Sequence, residues 1–211
     1  MEQLSPTRMN LLARRAQIKL AGDGVNLLKG KREALLKELL TRARALKALR
    51  NELHRRGRVA SGTLVIARAM RGTPEVNSTG VAGRRELSLE VTREKVWGLA
   101  LGNIEHTGVV RPHKERGIGL LDCSSLVLEA AQHSEEMLEQ LLACAPAEMN
   151  LQVLGEEVKK TSRRINALEE HLLPRLREEV AFIRSVLDER EREDTFRLKR
   201  IKKKKSDKKA E

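Results

Sequence analysis

The fold is decided by residues 10–53, which read NLLARRAQIKLAGDGVNLLKGKREALLKELLTRARALKALRNEL. Apolar residues recur in this stretch with the spacing of a heptad repeat, which aligns them along one seam of a long helix. The first row, counted from residue 4, is aliphatic at seven of its eight positions, namely Leu4, Leu11, Ile18, Val25, Leu39, Leu46 and Leu53. The companion row is apolar at four of six positions, namely Ala21, Leu28, Leu35 and Leu49. These rows predict a helix of about 50 residues and roughly 75 Å.

Both ends of this first helix carry recognisable signals. Ser5 can cap its amino end, and Pro6 suits the first helical position because its missing amide hydrogen would be unpaired there anyway. Gly57 is the predicted stop, because glycine is common just past a helix end and basic residues suit the last turn. Three glycines lower the helix propensity and indicate either a local bend or the close approach of another chain: Gly22, Gly24 and Gly30.

The last third of the chain predicts a second helix of similar length, over residues 149–200. Its seam is formed by Leu151, Leu154, Val158, Ile165, Leu168 and Leu172, and after an extra four-residue step by Leu176, Val180, Ile183 and Leu187. This extra step is a stutter that locally unwinds the supercoil, and Pro174 within it is expected to bend the helix. Two helices of equal length with a long segment between them are expected to pair antiparallel.

The middle of the chain differs from both ends, because glycine and β-branched residues accumulate there. Residues 87–91 alternate like a strand, and residues 107–110 are its predicted partner. Residues 60–70 predict a short helix, and residues 124–143 a longer one that ends before Pro146.

The fold class that follows is mainly α. It is a long antiparallel two-helix coiled coil of the N- and C-terminal helices, with a small mixed α/β head containing a β-hairpin in the middle. The predicted regions are a first coiled-coil helix, the head, a second coiled-coil helix and a disordered basic tail, at residues 1–57, 58–147, 148–201 and 202–211.

The composition agrees with rods rather than with a bulky core, since 34% of the residues are charged and 1% are aromatic. The net charge of +12 is unevenly distributed: residues 197–211 hold nine basic and two acidic residues, which leaves +5 for the other 196.

Cys123 and Cys144 have no paired spacing and predict free thiols in a reducing compartment. We find no signal peptide and no membrane span, so we expect a soluble cytosolic protein without direct membrane insertion.

Sites for catalysis or cofactors are not expected. The run from Gly24 to Lys31 has the wrong spacing for a phosphate loop, and no strand precedes it. His106 and His113 lack ligands at metal-binding spacing, so surface loops are the better interpretation. A serine pair beginning at Ser124 is better explained as a helix N-cap than as a nucleophile. We expect no catalytic residue, no metal and no cofactor.

Basic residues on the second helix are the candidate contact site, which we call the cationic belt: Lys159, Lys160, Arg163 and Arg164. They lie within two turns and flank the seam at Val158 and Ile165. A solvated helix face is the ordinary interpretation of such charges. However, like charges four residues apart repel mildly, which favours an acidic partner.

Three stretches resemble the D subunit of the V/A-type rotary ATPases: SPTRMNLLARRAQIKLAGDGVNLLKGKREALLKEL (5–39), TSRRINALEEHLLPRL (161–176) and IRSVLDEREREDTFRLKRIKKKK (183–205). The resemblance covers both terminal helices. It implies a non-catalytic rotor shaft whose paired helices insert into the hexamer of catalytic A and B subunits. It also implies a head that binds the small F subunit and sits in a socket subunit of C/d type above the membrane ring. The cationic belt would then touch acidic loops of the stator.

Two other classes remain as alternatives. A coiled-coil chaperone of prefoldin type would need exposed apolar grooves at the helix tips, where this chain has a lysine tract. A basic coiled coil that binds nucleic acid would rely on phosphate contacts, because the scarcity of aromatic side chains removes base stacking.

Overall fold

The structure, a computed structural model, describes residues 5–116 and 124–210, with side chains described as far as residue 203. It is mainly helical, with one small sheet. The chain divides into two compact units. We call Met1–Glu33 with Lys159–Glu211 the terminal unit, and Ala34–Val158 the central unit. Within the described ranges, no helix combines the length and the apolarity needed to cross a membrane.

Helix α1 spans Arg8–Arg71 and is longer than the sequence indicates. The predicted stop at Gly57 is wrong, and residues 60–70 belong to α1 rather than to a separate helix. A glycine inside a helix costs about 1 kcal/mol, and the buried Ala60 and Ala67 that follow supply packing to offset it. The chain breaks instead at Gly72, whose φ of 82° is not helical. Helix α2 (Thr73–Ala82) begins there.

Helix α3 spans Ser125–Asn166 and passes through Pro146, where the sequence predicts an end. The Ser124 carbonyl accepts hydrogen bonds from the amides of Val127 and Leu128, so the helix begins where it is predicted to begin. Proline inside a helix costs about 3 kcal/mol. Buried residues on both sides of it offset this cost by packing: Cys144, Asn150 and Leu154. Cys144 is a free thiol, as predicted, and Cys123 lies outside the described residues.

A π-helical segment, Ala167–Leu172, follows α3 directly, and helix α4 (Leu173–Ala210) continues from it. The Leu173 amide donates to the Leu168 carbonyl, five residues back rather than four. The stutter predicted near Pro174 is therefore a π-helical turn. The predicted disorder of residues 202–211 is replaced by helix as far as Ala210. The division of the chain into four regions stays a prediction.

The sheet is a two-stranded antiparallel hairpin of β1 (Leu89–Val96) and β2 (Leu99–His106). The partner of the predicted strand is thus β2, and the pairing with residues 107–110 is wrong. The register joins Val96 to Leu99 across a two-residue turn. Trp97 and Gly98, the two turn residues, have φ values of 52° and 81°. Positive values at both positions are what a type I′ hairpin turn requires.

Two apolar clusters form the core of the central unit. The first joins the end of α1, helix α2 and the start of α3 through Ala67, Val76, Val127 and Ala130. The second joins Leu35 of α1, Leu154 of α3 and Leu101 of β2. Half-buried aliphatic residues surround the second cluster, namely Leu39, Val96, Leu99, Val153 and Val158. The hairpin is therefore packed against the helix pair of this unit.

Trp97→Asn is expected to stabilise the hairpin by about 1 kcal/mol, because a bulky residue at positive φ is strained and asparagine tolerates this conformation. Slower amide exchange in β1 and β2 would check this effect. Trp97→Ala is the matched control, because it removes the indole without supplying a residue that favours positive φ. Equal exchange rates in the two variants would contradict the strain argument.

Candidate contact surface

In the terminal unit, α1 and the π segment with α4 run antiparallel. Three ion pairs join them, at 2.6, 3.2 and 2.6 Å, and in order along α1 they are Arg8–Glu191, Arg14–Glu179 and Lys29–Glu169. As the residue number rises on α1, it falls on the partner helix. Arg8–Glu191 and Lys29–Glu169 are exposed, whereas Arg14–Glu179 is half-buried. Exposed pairs contribute about 0–1 kcal/mol each, so the buried seam supplies most of the stabilisation.

The central unit shows the same antiparallel pairing between α1 and α3. Arg50 Nε lies 2.6 Å from Glu148 Oε1, and Arg56 donates to the Glu136 carbonyl at 3.5 Å. The hydrogen bond from Arg50 lowers the pKa of Glu148. Burial, with the neighbouring Glu148, raises the pKa of the Cys144 thiol. The predicted antiparallel two-helix fold is confirmed within each unit.

The predicted seam residues fall into three groups by exposure. Six are buried: Val25, Leu35, Leu46, Ile165, Leu176 and Ile183. Seven are half-buried: Leu11, Ile18, Leu28, Leu39, Val158, Leu168 and Val180. Leu172 differs from the expectation, because it is 40% exposed.

The π segment explains why Leu172 is exposed. Leu173, the next residue, is half-buried, and Leu176, Val180 and Ile183 continue the seam after it. From Leu168 to Leu173 is a step of five residues, where a heptad allows four. A π turn accommodates one extra residue in a helix. The seam therefore continues in phase, with the extra residue displaced toward solvent.

All four residues of the cationic belt are exposed. Thr161 and Ile165 lie in the same two turns of the helix and are each 1% exposed. A step of 100° per residue places Lys159 beside Arg163, and likewise Lys160 beside Arg164, away from these buried positions. The structure thus brings the belt together on the outward side of the helix.

Neighbouring acidic groups do not neutralise the belt. Among the described residues, none of the four belt cations forms an ion pair with a carboxylate. Glu169 pairs instead with Lys29, and Glu156 accepts a hydrogen bond from Gln152 at 3.3 Å. Four solvated cations in two turns can bind carboxylates of another chain, and weakly enough to release them.

A largely buried charge cluster in the central unit has no counterpart in the sequence interpretation. Glu135 lies between two guanidinium groups, with Arg111 Nη2 at 3.0 Å and Arg116 Nη2 at 2.9 Å. The Arg116 side chain is 1% exposed. Burial by itself raises the pKa of Glu135, but hydrogen bonds from the Arg111 amide and both guanidiniums outweigh it, so the pKa is lowered. The cluster fastens residues 111–116 to α3.

Asn150 of α3 fixes the hairpin in place and was also not identified from the sequence. Its Nδ2 donates to the Gly102 carbonyl at 2.8 Å, and its Oδ1 accepts from the Gly102 amide at 2.9 Å. The Asn150 side chain thus makes both hydrogen bonds that the Gly102 backbone would otherwise form with a neighbouring strand. No spacing rule connects residues 48 positions apart, so only a structure could reveal this contact.

Comparisons with known proteins identify relatives over nearly the whole chain. Residues 10–203 match the family model of the ATP synthase D subunit. The D subunit of the V-type ATP synthase of Thermus thermophilus is 41% identical over 207 residues, which cover 96% of this chain and 89% of the relative. The V-type D subunit of Anaeromyxobacter dehalogenans is 40% identical, with 95% and 96% covered. The D subunit of the A-type ATP synthase of Methanococcoides burtonii is 37% identical, with 96% and 98% covered.

Proposed function

Since the chain belongs to the family of the ATP synthase D subunit, we propose that it is the central rotor shaft of a V/A-type ATPase or ATP synthase. It transmits torque between a catalytic hexamer of A and B subunits and a membrane rotor ring that moves H⁺ or Na⁺. The chain itself hydrolyses no ATP.

The observation that best supports this role is the contrast between the two sides of the paired helices around the belt. Thr161 and Ile165 are buried on the inner side, while the belt residues are exposed and unpaired with carboxylates among the described residues. A rotating shaft needs a tight internal seam, so that torque does not separate its helices. Its outer contacts must break and re-form at each step, which weak solvated ion pairs allow.

Partners follow from the same proposal. The belt would contact acidic loops of the A and B subunits. The head, residues 58–147, would bind the small F subunit and the socket subunit of C/d type. The chain would then lie on the cytoplasmic face of the membrane, attached only through the complex.

Arg163→Glu combined with Arg164→Glu is expected to reduce torque-coupled ATPase activity about tenfold. In this variant, two attractive contacts of about 0.2–1 kcal/mol each become repulsive. A total loss of about 1.4 kcal/mol corresponds to a tenfold lower rate. The paired helices should stay folded, because neither residue contributes to the seam. Rotation of a probe on the shaft in a reconstituted complex, with ATPase rates and circular dichroism, would measure both effects.

Arg44→Glu combined with Lys47→Glu is the matched control, because it reverses two exposed charges of α1 in the central unit. Near-normal rotation is expected in this control. Unchanged coupling in the Arg163/Arg164 variant would refute the contact role of the belt. An equal loss in both variants would attribute the effect to net charge and would also refute it.

A further inference from the structure

The β-hairpin has two chemically different faces. Side chains alternate along a strand, and the register assigns each position of β2 to the same face as its partner in β1. We call the face that includes Leu101 the inner face, because Leu101 is buried against Leu35 and Leu154. The inner face comprises Glu90, Thr92, Glu94, Val96, Leu99, Leu101, Asn103 and Glu105. The outer face comprises Leu89, Val91, Arg93, Lys95, Ala100, Gly102, Ile104 and His106.

Ionisable residues are completely sorted between these faces. The inner face holds all three carboxylates of the two strands, namely Glu90, Glu94 and Glu105, and no basic residue. The outer face holds Arg93, Lys95 and His106, and no carboxylate. In the part of the chain that the structure describes, neither Arg93 nor Lys95 has an ion-pair partner. Cross-strand pairs of opposite charge would stabilise a hairpin in isolation, so this sorting does not serve the hairpin alone.

The outer face also exposes aliphatic side chains beside its cations. Val91 is 68% exposed and Leu89 is 48% exposed, and the half-buried Ile104 lies opposite Val91 in the register. The aliphatic residues lie toward the open end of the hairpin and the two cations toward its turn. Protein–protein contacts usually combine an apolar part with charged groups at its border.

The hairpin is held in a fixed orientation, which makes the outer face usable as a binding surface. Leu101 packs into the core on the inner side, and the Asn150 side chain forms two hydrogen bonds with the backbone of Gly102 at the edge of β2. A partner that binds the outer face therefore meets a surface already ordered by the helices, and little ordering entropy opposes binding.

We propose that the outer face is a docking surface for an acidic protein surface, in which apolar side chains contact Val91 and Leu89 while Asp or Glu residues pair with Arg93 and Lys95. The occupant is another subunit of the same complex, and in this respect the inference rests on the proposed function. Charge complementarity supports an acidic partner, since the face is free of carboxylates. An anionic membrane is a poorer fit, because lipid-binding surfaces use clusters of about four to eight basic residues.

Site-specific photocrosslinking in the purified complex tests the proposal. Val91→p-benzoylphenylalanine carries the probe on the outer face, and Thr92→p-benzoylphenylalanine carries it on the inner face of the same strand. We expect at least fivefold more crosslinking to one subunit from position 91, on a peptide that contains Asp or Glu. Adding Arg93→Glu with Lys95→Glu should lower that yield at least fivefold. Glu90→Lys with Glu94→Lys, the matched inner-face reversal, should change it less than twofold.

Three outcomes would overturn the proposal: equal crosslinking from positions 91 and 92, an unchanged yield after the Arg93 and Lys95 reversal, or a captured peptide without carboxylates. Binding of the chain to phosphatidylserine vesicles through Arg93 and Lys95 would assign the face to lipid instead. Failure of the chain to enter the complex at all would refute the proposed function together with this inference. Normal assembly without preferential crosslinking from Val91 would refute the docking surface alone.

Discussion

Glu135→Gln should lower the free energy of unfolding by about 3–4 kcal/mol, which is the usual cost of removing one partner from a buried ion pair. Glu135 is the carboxylate that both Arg111 and Arg116 contact. Its replacement leaves two guanidiniums close together without a counter-charge, and Arg116 is almost fully buried. Urea unfolding would measure the loss, and amide exchange in residues 125–135 would locate it in the central unit.

Glu139→Gln, one turn further along α3, is the matched control. Glu139 is half-buried, and among the described residues its side chain forms no hydrogen bond or ion pair, so its replacement should change stability by about 0.5 kcal/mol or less. A loss below about 1 kcal/mol in Glu135→Gln, within the range of an ordinary surface substitution, would show that the two arginines do not depend on this carboxylate.

The same carboxylate predicts a pH dependence. The pKa of Glu135 is lowered in the folded chain, so the folded state binds its proton less readily than the unfolded state. Its stabilising contribution is complete above the unfolded pKa of about 4.3 and is lost as the pH falls through the lowered folded value. Wild-type stability should therefore fall more steeply below about pH 4 than that of Glu135→Gln, in thermal unfolding at a series of pH values.

Features with a period in the sequence were predictable, and features that depend on tertiary contacts were not. The heptad rows identify the two paired helices because a seam repeats every seven residues over many turns. The belt is equally visible, since four cations in six residues must share a helix surface. Nothing local joins Glu135 to Arg111 and Arg116, or Asn150 to Gly102, because these pairs meet only after the chain has folded.

Helix ends were predicted incorrectly for a related reason. Gly57 and Pro146 are strong local stop signals, and each costs only about 1–3 kcal/mol. The residues packed around them supply comparable stabilisation, so α1 and α3 continue through both positions. At Gly72 the helix does end, because the positive φ of this residue is incompatible with a helix. The sequence does not identify β2 as the partner of β1, because the two-residue turn between them begins with Trp97. Asparagine or aspartate is usual at this position of the turn, and tryptophan gives no turn signal.

The sequence predicts the position of the irregular helical segment correctly, but it does not predict that the segment is a π-helical turn. An irregular step was expected beside Pro174, with Leu172 kept in the seam. The structure instead excludes Leu172 and uses Leu173, so that Leu176 and Ile183 stay buried. Two causes could produce this turn: the one-residue excess in the seam, or the missing amide hydrogen of Pro174. Variants that remove each cause separately will distinguish them.

Deletion of Leu172 is expected to destabilise the chain by about 3 kcal/mol. The cause would be Pro174 inside a regular helix, because the packing of the seam is preserved. The deletion restores a four-residue step from Leu168 to Leu173, so a regular α-helix can keep every later seam residue in phase. Pro174 would then lie inside an uninterrupted helix, where its ring meets the carbonyl four residues back. Urea unfolding should show the loss, and adding Pro174→Ala to the deletion should recover it to within about 1 kcal/mol of the wild type.

Pro174→Ala alone is the variant that separates the two causes. If the excess residue produces the π turn, this variant keeps it, because a regular helix would rotate Leu176 and Ile183 by about 100° away from the seam. A crystal structure of the variant should then still show the Leu173 amide bonded to the Leu168 carbonyl. A regular α-helix through residues 167–172 would contradict this reasoning and assign the turn to Pro174. Retention of the π turn would mean that the phase of the two-helix seam determines the local helix geometry, and that proline merely tolerates it.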